Sequence, residues 1–495
     1  MVFQASPTAA PWEAVPAHEQ LFVLITGANR YSALPSSGRR RHALRSGVGL
    51  GTAQRLIDEF LATRSLTSHL VLLPTTRSAP KSLQAIREIR AYAVRAAQTS
   101  AVLRSRAGAG YRWEDTVARL HVLSLSLDLC DLRAVRRFAW RLRRGTVSNP
   151  PGEEGEYLVD VRVPRLDSVI FNAAYGGWAG CDYAGAMWSM LTKGLVQSVT
   201  WPSFKNALPT CILNEQGSYN YPVKPLLGEV FAACVFGHYV LAHELLPLLG
   251  RSSSATVVPG RIIWSSSVEA VTAVFTVDDM QCFTRPEAYE SAKRLTDLLA
   301  LTASLPAARP FSSRWLTMDD GDEGTNEKQM APPKVYLTHP GVVASTLFPV
   351  PWFLFWAYEL ALVVSRWLGS PWHTVDGYSG AKAAAWVALQ DQPALDAAGA
   401  DRIKWGSSAD HTLAVNVKKT EVEGWGWEGR PEDAAAIAAD TAVGVLHKSR
   451  GRKRGVVDVT AEDIVRFEEL GARCWKEMEE LRAEWEDILE EDDDE

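Results

Sequence analysis

The sequence predicts an α/β protein built on a doubly wound parallel sheet. Three observations support this prediction: short apolar runs alternate with stretches of helical periodicity, the first run ends in a glycine-containing turn, and hydroxyl or amide residues follow several later runs. Such alternation is typical of βαβ units, whose ligand crevice lies at the carboxyl ends of the strands.

The strands are predicted from apolar runs and the helices from apolar residues three or four positions apart. The predicted strands are 21–25, 70–73, 120–127, 167–171, 261–264 and 334–337. The predicted helices are 52–62, 82–98, 228–249 and 288–304. The second strand is expected to stop at Pro74.

The elements define one domain over 21–429, preceded by an N-terminus, 1–20, that we expect to be disordered. The domain contains segments that a minimal sheet does not need, and we interpret them as insertions at about 30–45, 182–222 and 312–333. A helical extension with an acidic tail is predicted over 430–495.

Composition narrows the class of protein. The chain has 495 residues, 47% of them hydrophobic and 22% charged, which are ordinary globular values. The net charge of −6 does not favour a nucleic-acid-binding face. The six cysteines are scattered without metal-ligand spacing, so we expect no metal site and a reducing compartment. No secretory signal is visible at the N-terminus.

A phosphate-binding turn is predicted between the first strand and the first helix. Glycines there permit a sharp turn, and a helix N-terminus offers N–H groups to a pyrophosphate. The residues expected to bind it are Gly27, Asn29, Gly47, Val48 and Gly49. Segment 30–45 interrupts this turn. It is either a bulged surface loop or a gene-model error such as a translated intron, and we favour the second interpretation.

The end of the second strand predicts the choice of cofactor. Arg77 lies two residues after Thr75, at a position where an acidic residue would bind a ribose 2′-hydroxyl and an arginine accommodates a 2′-phosphate. Lys81 supplies a possible second charge. NADP(H) is therefore preferred to NAD(H), although Arg77 could also be an ordinary surface residue.

Ser267, Tyr289 and Lys293 are the candidate catalytic residues. Tyr289 and Lys293 are four residues apart, which places the phenol and the ammonium on one helix face. A neighbouring cation favours phenolate, so we expect the pKa of Tyr289 to fall towards neutrality. Ser267 is the last of three serines that follow the predicted strand 261–264 at the carboxyl edge of the sheet.

These motifs together resemble the short-chain dehydrogenase/reductase family, whose domain is Rossmann-like. The strings that support the resemblance are TGAN with GVG, FNAAYGG, IIWSSS, YESAK and HPGVV. Longer strings, including LLPTTRS, CVFGHYVLAHELLPLL and YESAKRLTDLL, are most similar to the fungal 3-keto-steroid reductases of sterol C-4 demethylation. The resemblance extends in blocks from about 21 to 429.

The resemblance implies a role for each site residue. Ser267 would polarise a substrate carbonyl, Tyr289 would protonate its oxygen, and Lys293 would hold the cofactor ribose. The remaining positions that it assigns to the cofactor are Asp128 at the adenine, Asn172 near the ribose, and Val343 with Ser345 at the nicotinamide.

Two departures from the family pattern stand out. Cys234 replaces an asparagine that supports a water relay to the lysine, and Ala174 replaces a glycine. Cys234 and the interrupted turn leave open a catalytically weak, cofactor-binding scaffold of the demethylation assembly. A reductase of another lipophilic carbonyl is a third possibility.

Segment 342–372 is rich in Leu, Val, Phe and Trp, and Glu359 and Arg366 are its only acid and its only arginine or lysine. We interpret it as a monotopic membrane-associating helix with interfacial tryptophans, or else as a substrate lid. The resemblance implies a sterol substrate, an endoplasmic reticulum or lipid-droplet surface on the cytosolic side, and other enzymes of sterol C-4 demethylation as partners.

Overall fold

The computed structural model describes residues 9–28, 47–152, 158–252, 258–317, 330–345, 347–348, 350–431, 434–440, 442–443 and 451–494. Within these ranges, eight main strands and the short strand Leu125–Ser126 form one sheet. The main strands are β1 (Gln20–Ile25), β2 (His69–Thr76), β3 (Leu120–Val122), β4 (Ser168–Phe171), β5 (Arg261–Ser265), β6 (Lys334–His339), β7 (Lys404–Ala409) and β8 (Val415–Thr420).

The strand order confirms the doubly wound fold. It runs β8-β7-β6-β5-β4-β1-β2-β3, and every pair is parallel except β7 with β8. The chain reverses its direction of travel across the sheet between β1 and β4, which is where ligands bind in such folds. All six predicted strands are present, whereas β7 and β8 were not predicted.

Helices cover both faces of the sheet. The principal helices are α1 (Val48–Thr63), α2 (Ala79–Thr99), α3 (Leu132–Arg144), α4 (Glu229–Phe231, continued by the π-turn Ala232–Phe236 and by Gly237–Glu244), α5 (Ala288–Thr302), α6 (Phe355–Trp367), α7 (Lys382–Leu389) and α8 (Ala461–Asp494). Shorter helices are Ala101–Ala107, Trp113–Val117, Tyr183–Lys193, Leu195–Thr200, Leu246–Leu249, Arg309–Trp315, Gly377–Gly380, Gln392–Ala397 and Ala434–Ala439.

Side chains of β1 show how the two hydrophobic cores form. Successive strand residues point to opposite faces. Phe22 and Leu24 therefore belong to the core beneath α3, α4 and α5, and Val23 and Ile25 belong to the core beneath α1, α2 and α7. All four side chains are fully buried. Each contributes about 1.5–3 kcal/mol through its removal from water.

The predicted helical extension is confirmed, and it packs on the domain. Trp475 of α8 is buried and donates a hydrogen bond from Nε1 to the Leu299 carbonyl of α5, at 3.2 Å. The Tyr239 hydroxyl of α4 donates to Glu479 Oε1 at 2.7 Å. Helix α8 therefore completes the core on the α4–α5 face.

Several local expectations differ from the structure. β2 continues through Pro74, although proline has no N–H group to donate. The strand that pairs with β2 on the side of β3 is interrupted between Val122 and Leu125, so no hydrogen bond from Pro74 is needed there. Residues 9–20 differ from the expected disorder, since Trp12 is buried against the Phe22 ring at 5.7 Å.

The expected insertions have mixed outcomes. Segment 182–222 contains two helices and a strand that pairs with Trp178–Cys181, and 312–315 completes a helix whose Trp315 is buried. Segment 30–45 and most of 312–333 lie outside the described residues.

Candidate active site

A cleft opens at the carboxyl edge of the sheet, where the strand order reverses between β1 and β4. Its walls come from the ends of β1, β2, β4 and β5 and from α1, α4 and α5. The sequence-predicted residues that line it are Gly27, Gly47, Val48, Thr75, Arg77, Asp128, Asn172, Tyr289, Lys293 and Ser345. Residues up to 318 positions apart in sequence therefore meet in one site.

Gly27, the first residue after Thr26 in the turn that follows β1, is closely packed and hydrogen-bonded. Gly27 has φ +69°, and a Cβ there would lie 2.8 Å from Ala173 Cα. The Asn172 side chain donates from Nδ2 to the carbonyl oxygens of Thr26 and Gly27, at 3.0 and 3.3 Å. Buried His238, which was not predicted, has Nε2 2.8 Å from the Thr26 hydroxyl oxygen.

The N-terminus of α1 faces the same cleft. Helix α1 begins at Val48 after Gly47, and no described side chain caps it. First-turn N–H groups have no partner within a helix, so this end suits a phosphate. Gly49 does not line the cleft, because it packs under the turn. A Cβ there would lie 2.5 Å from the Gly27 carbonyl oxygen and 2.6 Å from Asn172 Nδ2.

Other predicted residues lie away from the described cleft lining. Lys81 is exposed on α2, and Val343 is half-buried and bridged to Val375. Ser267 is buried behind the lining residues Ser265 and Ser266. Asn29 lies outside the described residues.

Arg77 and Asp128 stand at the outer end of the cleft. Arg77 is exposed, and Asp128 accepts a hydrogen bond from the Cys130 N–H at 3.0 Å. Burial raises the pKa of nearby Glu229, while the Arg77 guanidinium opposes the rise. Among the described lining residues, Arg77 is thus an exposed cation close enough to Glu229 to influence it.

The structure brings Tyr289, Ser267 and Lys293 close together. The Ser267 hydroxyl is close enough to the Tyr289 phenol to oppose the rise in the pKa of Tyr289. Lys293 Nζ lies 5.6 Å from the Tyr289 ring centroid and donates to the Ser265 carbonyl at 2.7 Å. A phenol and an ammonium that line the cleft, with a buried serine hydroxyl next to the phenol, can polarise and protonate a carbonyl oxygen.

The electrostatics of Tyr289 differ from the expectation. Burial, followed by the negative charge of Glu269, raises the pKa of Tyr289 well above its usual value of 10. Burial lowers the pKa of Lys293, against the opposing effects of Cys234 and Asp297. The phenol is therefore protonated at neutral pH, the state that a general acid requires.

A buried ion pair behind Ser267 was not predicted. Lys404 of β7 donates from Nζ to Asp297 Oδ2 at 2.7 Å and to the Ser267 carbonyl at 2.6 Å. Asp297 also accepts a hydrogen bond from the Ser266 hydroxyl at 2.5 Å. The only sequence signal was the position of Asp297, one helical turn after Lys293.

Cys234 lies in the π-turn of α4, and such turns are frequent at functional sites. Its thiol is buried and lies 3.4 Å from both the N and the O of Tyr175. Burial raises the pKa of this thiol, with an opposing effect of Lys293. Cys234 therefore secures the backbone after β4.

Aromatic rings connect Tyr289 to α6. The Trp178 ring contacts the Tyr289 ring edge-on, with centroids 4.8 Å apart. Phe348 lies 6.3 Å from Trp178 and stacks on Tyr358 of α6 at 5.2 Å. Helix α6 thus forms part of an apolar wall that extends from the catalytic candidates to the surface.

The outer side of α6 is exposed and apolar, whereas Leu362 on its inner side is fully buried. The large exposed side chains at and near α6 are Trp352, Phe353, Trp356, Leu360, Trp367 and Leu368. Among the helices that the structure describes, none has the length and hydropathy to cross a bilayer.

Comparison with known proteins identifies close relatives. The chain is 63% identical over 486 residues to the 3-keto-steroid reductase of Gibberella zeae, with 98% of each chain covered. It is 37% identical over 482 residues to the 3-keto-steroid reductase of Aspergillus fumigatus, with 95% of each covered. A scan against models of known protein families finds no match.

Solved structures are more distant. A 3-oxoacyl-[acyl-carrier protein] reductase from Brucella melitensis is 13% identical, with a TM-score of 0.37 over 75% of this chain and 90% of its own. A Pseudomonas aeruginosa RhlG/NADP complex is 16% identical, with a TM-score of 0.36 over 74% of this chain and 88% of its own. Both similarities are too low to bear on function. From the full-length identity to the two fungal proteins, the chain belongs to the fungal 3-keto-steroid reductase family of short-chain dehydrogenases/reductases.

Proposed function

We propose that this protein reduces the 3-ketone of a sterol intermediate to the 3-hydroxyl, with NADPH as hydride donor and Tyr289 as general acid. The observation that supports the proposal best is the Tyr289–Ser267–Lys293 cluster at the carboxyl edge of the sheet, opposite the N-terminus of α1. The relative from Gibberella zeae is named for this activity and matches over nearly the whole chain.

The residues of the cleft fit a dinucleotide with a 2′-phosphate. The uncapped start of α1 at Gly47 and Val48 would hold the pyrophosphate. Exposed Arg77 would bind the 2′-phosphate, and its planar fork suits that group. The Lys293 ammonium lines the cleft and would bind the ribose hydroxyls. When bound, NADPH supplies a hydride.

In the proposed reaction, the substrate carbonyl carbon gains the hydride and its oxygen gains the phenolic proton of Tyr289. Ser267, whose hydroxyl is close to the phenol, would orient it. Tyr289 ends as phenolate, which the Lys293 ammonium stabilises because it lies nearby and is also buried. Solvent then restores the proton.

Tyr289→Phe tests the chemistry, because phenylalanine keeps the ring contact with Trp178 and removes only the proton donor. We expect kcat for 3-keto sterol reduction to fall about 10²–10⁴-fold while NADPH affinity is retained. Tyr111→Phe is a matched control, since its hydroxyl donates to the Ala97 carbonyl away from the cleft. Near-normal turnover of Tyr289→Phe would refute the assigned role. A wild-type protein that binds NADPH without turnover would favour the scaffold alternative.

We also propose that the α6 face rests on a lipid surface, at the cytosolic side of the endoplasmic reticulum or of lipid droplets. Tryptophans favour the membrane interface, and the substrate class partitions into lipid. Helix Tyr183–Lys193 extends the apolar face with exposed Met187, Trp188 and Leu191. The intervening helix Leu195–Thr200 contacts both α6 and Tyr183–Lys193.

Vesicle flotation tests this surface. Trp352→Ser with Trp356→Ser should reduce binding to phospholipid vesicles several-fold, because each change removes an exposed indole from the contact. Trp140→Ser is the matched control, since Trp140 is 57% exposed but lies on α3. Equal binding by all three proteins would refute a lipid-facing α6.

A further inference from the structure

A buried cluster of charge lies beside Tyr289 and has no part in the mechanism above. Lys205, in the strand Lys205–Ala207 of the 182–222 insertion, forms ion pairs with both Glu269 and Glu290. The side chains are 4%, 17% and 9% exposed, respectively. Glu269 is two residues after Ser267, and Glu290 is next to Tyr289.

Lys205 is as close to the phenol ring as the family lysine is. Its Nζ lies 5.8 Å from the Tyr289 ring centroid, compared with 5.6 Å for Lys293 Nζ, and 4.1 Å from the Trp178 ring centroid. Of the described residues that line the cleft, only Lys293 carries an ammonium group. Lys205 is therefore a second buried ammonium group near the Tyr289 ring, and it is not among the described residues that line the cleft.

The cluster pairs two carboxyl groups with one ammonium group. Burial favours the neutral form of Lys205, but Glu269 and Glu290 outweigh it and raise the pKa of Lys205. Burial raises the pKa of Glu269, and Lys205 opposes the rise. When all three groups are ionised, the cluster has two negative charges and one positive charge, so its net charge beside the phenol is negative.

Other described groups near Tyr289 come from several elements of the fold. Cys234 faces it from α4, Ser267 from the end of β5, and Lys293 from its own helix. Tyr358 of α6 is close enough for Glu269 to influence it. Of these groups Lys293 is the one cation, so Lys205 supplies the second positive charge near the ring.

We propose that Lys205, Glu269 and Glu290 are positioning residues that set the proton affinity of the Tyr289 hydroxyl. The two carboxyl groups keep the phenol protonated until the hydride is delivered, and Lys205 limits their effect so that the proton can still leave. The inference rests on the proposed function, because it concerns the same general acid. It also predicts that removal of the Lys205 charge and removal of the Glu269 charge have opposite effects on the proton affinity of Tyr289.

The reverse reaction provides a direct test. Oxidation of a 3-hydroxysterol by NADP⁺ requires phenolate, so its rate at a fixed pH below the Tyr289 pKa is proportional to the fraction of phenolate. Glu269→Gln should raise this rate about tenfold and Lys205→Met should lower it about tenfold, corresponding to about one pKa unit each. Lys193→Met, at an exposed lysine of the same insertion, should leave it unchanged.

A purely structural role gives a different outcome. Misfolding or loosening of the site would lower the oxidation rate in both Lys205→Met and Glu269→Gln, and that result would overturn the inference. Tyrosinate absorbance of the cofactor-free chain, taken as the difference from the matching Tyr289→Phe protein, gives a second readout. Its midpoint should be lower in Glu269→Gln than in the wild type and higher in Lys205→Met.

The two proposals fail in distinguishable ways. A wild-type protein that neither reduces nor oxidises the sterol contradicts the proposed function, while the tyrosinate titration still tests the cluster. An active wild type whose variants titrate with the same midpoint contradicts the cluster alone.

Discussion

Replacement of Lys404 by methionine should be among the most destabilising single changes in this protein. Lys404 and Asp297 are 3% and 1% exposed, and their ion pair measures 2.7 Å. Methionine fills much of the same volume but leaves the Asp297 carboxylate buried without its cation. Breaking such a pair costs about 3–5 kcal/mol, a large fraction of a total stability of about 5–15 kcal/mol. Urea unfolding followed by circular dichroism measures the loss.

Lys334→Met is the matched control for this prediction. Lys334 and Asp396 form a pair of nearly equal length, 2.6 Å, but their side chains are 41% and 50% exposed. Exposed pairs contribute about 1 kcal/mol or less, so the control should unfold near the wild-type midpoint. The double variant Lys404→Met/Asp297→Asn should be more stable than Lys404→Met alone, because it leaves no unpaired charge. If Lys404→Met loses less than about 1 kcal/mol, the argument from burial is wrong.

Three further predictions concern the cofactor and pH. Arg77→Ala should weaken NADPH binding about 10–100-fold and NADH binding far less, because only NADPH has the 2′-phosphate. Titration with each nucleotide measures both affinities, and equal losses would make Arg77 an ordinary surface residue. A chain lacking 30–45 should bind NADPH at least as tightly as the full chain, and transcript sequencing should find the codons for 30–45 removed. If the deletion abolishes NADPH binding and the mature message retains these codons, the segment is a functional loop. Burial lowers the pKa of His238 and of His373 to about 3. Below a pH of about 6.5 these histidines bind protons in the unfolded chain but not in the folded chain. When the pH falls from about 7 to about 5, each histidine should therefore reduce the free energy of unfolding by about 2 kcal/mol. In His238→Gln, the free energy of unfolding, measured with urea, should decrease less over this pH range than in the wild type. An equal decrease in both proteins would contradict this reasoning.

Local sequence patterns were sufficient to predict the strands and helices at whose ends the candidate site lies. The apolar run before Gly27 predicted β1, and the four-residue spacing of Tyr289 and Lys293 placed both on one face of α5. Period and spacing predict such features because neighbouring residues in the chain decide them. All six predicted strands were found from such local patterns.

The surroundings of these residues depended on contacts between distant segments. β7 contains Lys404 and several small polar residues, all buried, and thus lacks the apolar run that predicts a strand. Burial of Lys404 is tolerated because Asp297 is present 107 positions earlier in the chain. The same applies to Lys205, whose partners Glu269 and Glu290 lie 64 and 85 positions further along.

The sequence by itself therefore determined the doubly wound domain, the glycine turn and the serine, tyrosine and lysine of the candidate site. The tertiary structure decided the electrostatic state of that site. A cation beside Tyr289 predicted a lowered pKa, but burial and Glu269 raise it. The physical reason is that the free energy of a charge depends on its desolvation and on every charge around it, and neither quantity is encoded in the spacing of nearby residues.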